Sequence, residues 1–268
     1  MIGDPPGFGA DPSFFNLVRS MGGEPLGTPG SGGSSGEPLP ALAPHGTTVI
    51  ALRFAEGVIM AGDRRATEGY AIADSRMEKV FPADDHSVVG IAGVAGQAIE
   101  LVKLFQTELE HYEKVEGETL SLEGKANRLS QLLRQSFPLI LQGLVVVPIY
   151  GGYDPSRNEG RIFRYDAIGG RYEEIDFNAT GSGSRDAKAS LKKRWRPDLD
   201  RSAAVEAAVE SLLDASEADT ATGGPDPLRG IFPSVFVVTT DGVAEVPIDE
   251  VRIAFEAVLE RRGPTGGP

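Results

Sequence analysis

The sequence predicts an α+β domain in which antiparallel sheets are covered by layers of helices. Apolar runs come in blocks: strands, two helices, strands, two helices, a strand pair and a closing helix. The strand runs follow one another through short hairpin connections, unlike the strict alternation of a βαβ repeat. No GxGxxG or P-loop pattern occurs, and Gly181-Ser182-Gly183-Ser184, which precedes a helical run, lacks the lysine and spacing of a phosphate loop.

Element by element, 47–54 and 57–62 are β-rich runs split by Ala55-Glu56, and 87–92 reads as a buried strand. Ala98, Leu101, Val102, Phe105, Leu109 and Tyr112 keep a helical stripe, as do Leu122, Ala126, Leu129, Leu133 and Ile140. Pro138 should end or kink that second helix. Strands are expected over 144–150, 161–166 and 172–179. Helices are expected over 185–195 and 203–218. Runs 235–240 and 243–246 flank the turn Asp241-Gly242, and a last helix covers about 249–261.

Ahead of these elements lies a leader, residues 1–46, with 11 Gly and 8 Pro. Such a segment buries too little apolar surface to offset its ordering entropy, so it is expected to be disordered. It has no basic start and no continuous apolar run before a small-residue cleavage site, so it does not read as a secretory signal. Phe14, Phe15, Leu17 and Val18 form its one apolar island, readable as a docking peptide or as part of an ordinary tail. The expected organisation is leader 1–46, folded domain 47–262 and flexible tail 263–268.

Composition excludes several functions. Cysteine is absent, which removes disulfides and cysteine metal sites. Three scattered histidines form no HExxH pair, so no metal and no cofactor are expected. The net charge is −13, and residues 47–268 keep 25 basic against 35 acidic side chains. That balance argues against nucleic acid or an anionic membrane as partner. No apolar stretch reaches transmembrane length, and a cytoplasmic protein is expected.

The junction of leader and domain reads His45-Gly46-Thr47-Thr48-Val49. Cleavage between Gly46 and Thr47 would place a hydroxyl and an α-amine on one residue, a nucleophile with its own base. A free α-amine titrates near ~8 and can serve at neutral pH. Asp63 follows the second strand and Lys79 lies further on; each is readable as a surface charge, or together as a pair that tunes the nucleophile. Gly93-Val94-Ala95-Gly96 closes a strand before a helix, either a tight turn or a source of backbone N–H groups for an oxyanion.

Taken in order, Gly46-Thr47-Thr48, Gly62-Asp63-Arg64-Arg65-Ala66-Thr67, Lys79, Gly93-Val94-Ala95-Gly96, Gly181-Ser182-Gly183-Ser184 and Asp219-Thr220-Ala221-Thr222-Gly223-Gly224 resemble the β subunits of 20S proteasomes. These are N-terminal-nucleophile hydrolases. The leader, the long body and Gly224-Pro225-Asp226 resemble the actinobacterial branch. The resemblance covers 46–262 and implies a four-layer αββα sandwich in a precursor form. It implies Thr47 as nucleophile, Lys79 and its partner Asp63 as activators, the Gly93 N–H as oxyanion donor, and Ser182, Asp219 and Thr222 as groups around the α-amine. Thr222 stands where the family usually has Ser. Thr67 and Ala95 would bind substrate backbone. Ala66, Met77, Phe81, Ile91, Ala95 and Ile99 would line an apolar pocket for the residue before the scissile bond.

Implied partners are α subunits and other β subunits in four stacked seven-membered rings. An ATPase ring would deliver tagged unfolded protein. A related two-component bacterial protease subunit also uses an N-terminal threonine, but it is shorter and lacks the 219–224 segment. An inactive ring subunit would have no use for Thr47, Asp63 and Lys79 together.

Overall fold

The computed structural model of the chain describes residues 46–68 and 71–263. By its internal contacts the chain divides after Ala41, and the description concerns the unit from Leu42 onward. The disorder expected of the leader, its Phe14, Phe15, Leu17 and Val18 island, and the tail beyond Gly263 lie outside the described residues.

The strands are β1 (Thr48–Phe54), β2 (Gly57–Gly62), β3 (Ala66–Glu68), β4 (Ala71–Asp74), β5 (Val80–Asp84), β6 (Ser87–Gly93), β7 (Val146–Asp154), β8 (Glu159–Tyr165), β9 (Arg171–Glu174), β10 (Phe177–Gly181), β11 (Ser234–Thr239) and β12 (Gly242–Glu245). The helices are α1 (Ala95–Glu116), α2 (Leu122–Gln135), α3 (Phe137–Ile140), α4 (Ser184–Arg194), α5 (Arg201–Ala218) and α6 (Ile248–Arg262). One five-stranded sheet has the order β10-β1-β2-β11-β12, a second has β5-β6-β7-β8-β9, and β3-β4 is a separate hairpin. All pairings are antiparallel.

Side chains alternate along each strand, but both faces are buried. Val49 and Ala51 of β1, Val58 and Met60 of β2, and Phe236 and Val238 of β11 meet Val80, Val88, Ile149 and Ile162 of the other sheet. Their neighbours Ile50, Leu52, Ile59, Ala61, Val235 and Val237 pack beneath α4, α5 and α6. The outer face of the second sheet, through Val89, Ile91, Tyr150 and Phe163, packs on α1 and α2. Three apolar layers thus separate four layers of structure, the αββα sandwich expected from the resemblance. Double burial is why the strands read as continuous apolar runs.

The structure corrects the sequence reading in places. The run 172–179 is two strands in different sheets, β9 and β10, because the chain changes layer at Ile175-Asp176 and the Asp176 carbonyl takes the Arg53 N–H at 2.8 Å. Helix α2 stops at Gln135; Pro138 falls in the first turn of the separate α3, which therefore carries Ile140. Strands β3, β4 and β5 have no counterpart among the elements the sequence predicts. All four residues of β4 are exposed, so no buried pattern marks it.

One end of the sandwich gathers the residues of interest. Thr48 pairs with Gly181, and Val49 with Gly62, so the start of β1, the end of β2 and the end of β10 are neighbours. The Ile91 N–H donates to the Lys79 carbonyl at 2.9 Å, which brings the residue before β5 to the end of β6.

The sheets touch where glycine permits it. A Cβ on Gly90 would stand 2.4 Å from Val49 Cγ1 and 2.9 Å from Met60 Sδ. Gly90→Ala is therefore expected to destabilise the fold by about 1–3 kcal/mol, since an overpacked core must shift. Gly96→Ala, in α1 with nothing within 4 Å of the new methyl, is expected to be neutral or stabilising by roughly 0.5–1 kcal/mol. Denaturant titration of the two variants beside the parent checks the contrast.

Candidate active site

Asp63, just past β2, is fully buried and uses both carboxylate oxygens twice. Oδ1 accepts from Lys79 Nζ at 2.7 Å and from the Thr48 N–H at 2.7 Å. Oδ2 accepts from the Arg65 N–H at 3.0 Å and the Gly223 N–H at 2.8 Å. Four donors satisfy an ionised carboxylate. Lys79 is only 1% exposed. Besides Asp63 its ammonium donates to the Arg65 carbonyl and reaches the Gly46 carbonyl at 3.4 Å. Three acceptors match the three protons of the charged form. Burial pushes Lys79 below the usual lysine value; the charge and hydrogen bond of Asp63 oppose this, and the charge of Arg65 adds to it.

The Gly46–Thr47 junction is held on three sides. The Gly46 N–H donates to Thr67 Oγ1 at 3.0 Å, its carbonyl faces Lys79, and its α-carbon lies against Ala221. A Cβ on Gly46 would sit 2.0 Å from the Ala221 Cβ and 2.6 Å from its carbonyl oxygen, so only glycine fits. Thr47 is 5% exposed, and its carbonyl accepts the Ser182 N–H at 2.9 Å. Gly181, at φ +99°, makes that approach possible; a Cβ there would stand 1.7 Å from the Thr47 oxygen.

The segment after α5 supplies the remaining wall. Burial pushes the Asp219 carboxyl upward, but hydrogen bonds from Ser182, Thr222 and the Ala221 N–H, with the charge of Lys79, outweigh it and hold Asp219 below the usual aspartate value. Thr222 Oγ1 donates to Asp219 Oδ2 at 2.6 Å. The guanidinium of Arg65 ties this segment down through the carbonyls of Thr220 (3.0 Å) and Thr222 (3.3 Å).

Of the residues expected from sequence, Thr47, Asp63, Thr67, Lys79, Ser182, Asp219 and Thr222 therefore converge. Gly93 ends β6 at φ +124°, a conformation that demands glycine, and a Cβ there would meet the Val145 carbonyl oxygen at 2.1 Å. It adjoins the start of α1, which has no side-chain cap. Among the six expected pocket residues, Ala66 and Ile91 are buried, and Met77, Phe81, Ala95 and Ile99 are half-buried. Ile91 belongs to the apolar layer beneath α1, and Phe81 packs against that layer. Two cavities stand out among the described residues, and neither is lined by these six. One lies among α1, α2 and α3, around Leu101, Leu133 and Ile140. The other opens between β7–β8 and β10, around Arg164, Asn178 and Thr180. Arg65, Gly183, Ala221 and Gly223 stand in the motifs of the sequence but have no task assigned from it, nor has Thr48; the first four act through backbone groups, shape or, for Arg65, also its guanidinium.

A family model described as "Proteasome subunit" matches residues 43–226. A protein of Acidimicrobium ferrooxidans described as proteasome subunit beta is 53% identical over 255 residues, spanning 94% of this chain and 92% of its own. One of the same description from Jonesia denitrificans is 53% identical over 221 residues, spanning 82% of this chain and 73% of its own.

Breaking the Lys79–Asp63 pair from one side leaves a buried charge without its partner. Asp63→Asn and Lys79→Met are each expected to destabilise the subunit by about 3–5 kcal/mol, with the double variant losing less than the sum. Denaturant midpoints of the four proteins measure the coupling; additive losses would contradict it.

Proposed function

Because the chain belongs to the proteasome subunit family, as a β subunit and threonine peptidase, we propose that Thr47 is its nucleophile and is exposed by self-cleavage after Gly46. The observation that carries this reading is the held junction. Thr67, Lys79 and Ala221 grip Gly46 through its N–H, carbonyl and α-carbon, as a protease grips a scissile residue.

The Thr47 Oγ attacks the Gly46 carbonyl carbon. The bond from that carbon to the Thr47 nitrogen breaks, the hydroxyl proton passes to the nitrogen, and an ester joins Gly46 to Thr47. Water then hydrolyses the ester, leaving a carboxylate on Gly46 and a free amine and hydroxyl on Thr47. The cation of Lys79 beside the carbonyl favours the charge that develops on its oxygen. Before cleavage the Thr47 nitrogen is an amide and cannot act as base. Afterwards its amine takes the hydroxyl proton when a substrate carbonyl is attacked. Asp63 holds Lys79 charged and oriented, so that the pair lowers the proton affinity of the hydroxyl. Ser182, Asp219 and Thr222 orient the amine and carry its protons, and the Gly93 N–H stabilises the oxyanion.

Substrate backbone lies along Thr67 and Ala95 as an added strand. The hydrogen bond from the Gly46 N–H to the Thr67 hydroxyl supports this to the extent that it brings main chain before Thr47 alongside Thr67. Ala66, Met77, Phe81, Ile91, Ala95 and Ile99 line the pocket before the scissile bond. They offer no carboxylate, so a buried Lys or Arg would lose its solvation without gaining a partner. The preference is chymotrypsin-like, after Leu, Tyr or Phe. In this reading the subunit works in the cytoplasm within four stacked seven-membered rings of α and β subunits, fed by an ATPase ring with tagged unfolded proteins. Among the described residues no helix is long and apolar enough to cross a membrane.

Thr47→Ala is expected to give an assembled, uncleaved particle without peptidase activity, and Thr47→Ser to keep partial activity. Lys79→Ala should block both leader removal and peptide cleavage. Fluorogenic peptides ending in Leu, Tyr, Arg or Glu read the pocket in the assembled particle. An Arg peptide cut as fast as the Leu or Tyr peptide would contradict the lining, and full activity in Lys79→Ala would contradict the role of Lys79.

A further inference from the structure

Thr48, next to the nucleophile, is fully buried and bonded at every polar atom. Its N–H donates to Asp63 Oδ1 at 2.7 Å, and its carbonyl accepts the Asp63 N–H at 3.1 Å. Any residue could make those two backbone bonds. The hydroxyl makes two more that depend on the side chain. It accepts the Gly183 N–H at 2.9 Å and lies 2.7 Å from Thr222 Oγ1.

The chemistry of the groups fixes the direction of each bond. An ionised carboxylate only accepts, so the single hydrogen of the Thr222 hydroxyl goes to Asp219 Oδ2. The Thr222 oxygen must then accept, which directs the Thr48 hydrogen to it. The Thr48 oxygen in turn accepts from Gly183. The result is a one-way chain, Gly183 N–H to Thr48 to Thr222 to Asp219, in which each bond polarises the next. Both threonines are fully buried, so water offers no substitute partner.

The chain joins two separate segments. Gly183 follows Ser182 at the entry to α4, and Asp219 and Thr222 follow α5. The segments come close enough that a Cβ on Gly183 would stand 2.6 Å from Thr222 Oγ1 and 2.7 Å from Thr48 Oγ1. The Thr48 hydroxyl bonds to both, alongside the direct hydrogen bond from Ser182 to Asp219.

We infer that the Thr48 hydroxyl is a positioning group for peptide hydrolysis: it locks the Ser182 and Asp219 segments onto the residue beside the nucleophile. The inference rests on the reading of Thr47 as nucleophile. Thr48 touches no reacting atom and acts through Thr222. Valine matches the shape of threonine but would leave the Gly183 N–H and the Thr222 oxygen without a partner. Serine keeps the hydroxyl.

The test compares Thr48→Val, Thr48→Ala and Thr48→Ser in assembled αβ particles whose leader removal is followed by intact mass. The Val and Ala particles are expected to lose about tenfold in kcat with KM within about twofold of the parent, and the Ser particle to recover most of the rate. In a Thr222→Val background the Thr48→Val change is expected to add less than about twofold, because the chain is already cut. Losses that multiply in the double variant, a loss carried by KM, or a Ser particle as slow as the Val particle would overturn the inference. So would failure of both the Val and Ala chains to assemble, which would make the hydroxyl a folding group. A parent particle without Thr47-dependent activity would instead overturn the reading of the nucleophile.

Discussion

Asp63 directly follows a strand of the first sheet and Lys79 directly precedes a strand of the second, so their ion pair crosses the sandwich at the end where Thr47 lies. Two charges in so dry a place are tolerable only when fully bonded. The surroundings supply that: backbone N–H groups from Thr48, Arg65 and Gly223 complete Asp63, and carbonyls of Arg65 and Gly46 complete Lys79. Three otherwise separate segments are thereby brought to Thr47. The start of β1, the turn after β2 and the segment after α5 are each tied to one carboxylate.

The sandwich makes this possible by burying both faces of its strands. Its layers are largely apolar, and buried charge is gathered in a few bonded clusters: the Asp63–Lys79 pair beside Thr47, Arg161 with Asp154, Glu123 and Glu173, and Lys125 with Asp84. Glycines mark where backbones must come close. Gly90 lets the sheets touch, Gly181 lets the chain cross the Thr47 carbonyl, and Gly46 fits beneath Ala221. The Gly46 carbonyl thus lies beside the buried cation of Lys79.

Much of this was legible in the sequence, for identifiable reasons. Long apolar runs and helical stripes marked β1, β2, β6, α1 and α5, because packing repeats their periods many times. Strands β3 and β4 were invisible because they are short and β4 is wholly exposed. The single run 172–179 hid a change of layer, since β-rich sequence continues on either side of Ile175-Asp176. At the site, motif order gave the side chains that converge on Thr47. The roles of Arg65, Gly183, Ala221 and Gly223, though these stand in the motifs, were not legible because their contributions are backbone groups, shape or a staple to distant carbonyls. The hydroxyl of Thr48 escaped because its meaning depends on Thr222, 174 residues away in sequence.

The central claim is that one threonine, made N-terminal by its own attack on the preceding glycine, performs the chemistry. N-terminal sequencing and intact mass of the subunit from active particles test it most directly. The account predicts a mature chain beginning at Thr47 and a released leader ending in a free carboxylate on Gly46. Any other first residue in a particle with full peptidase activity would contradict it.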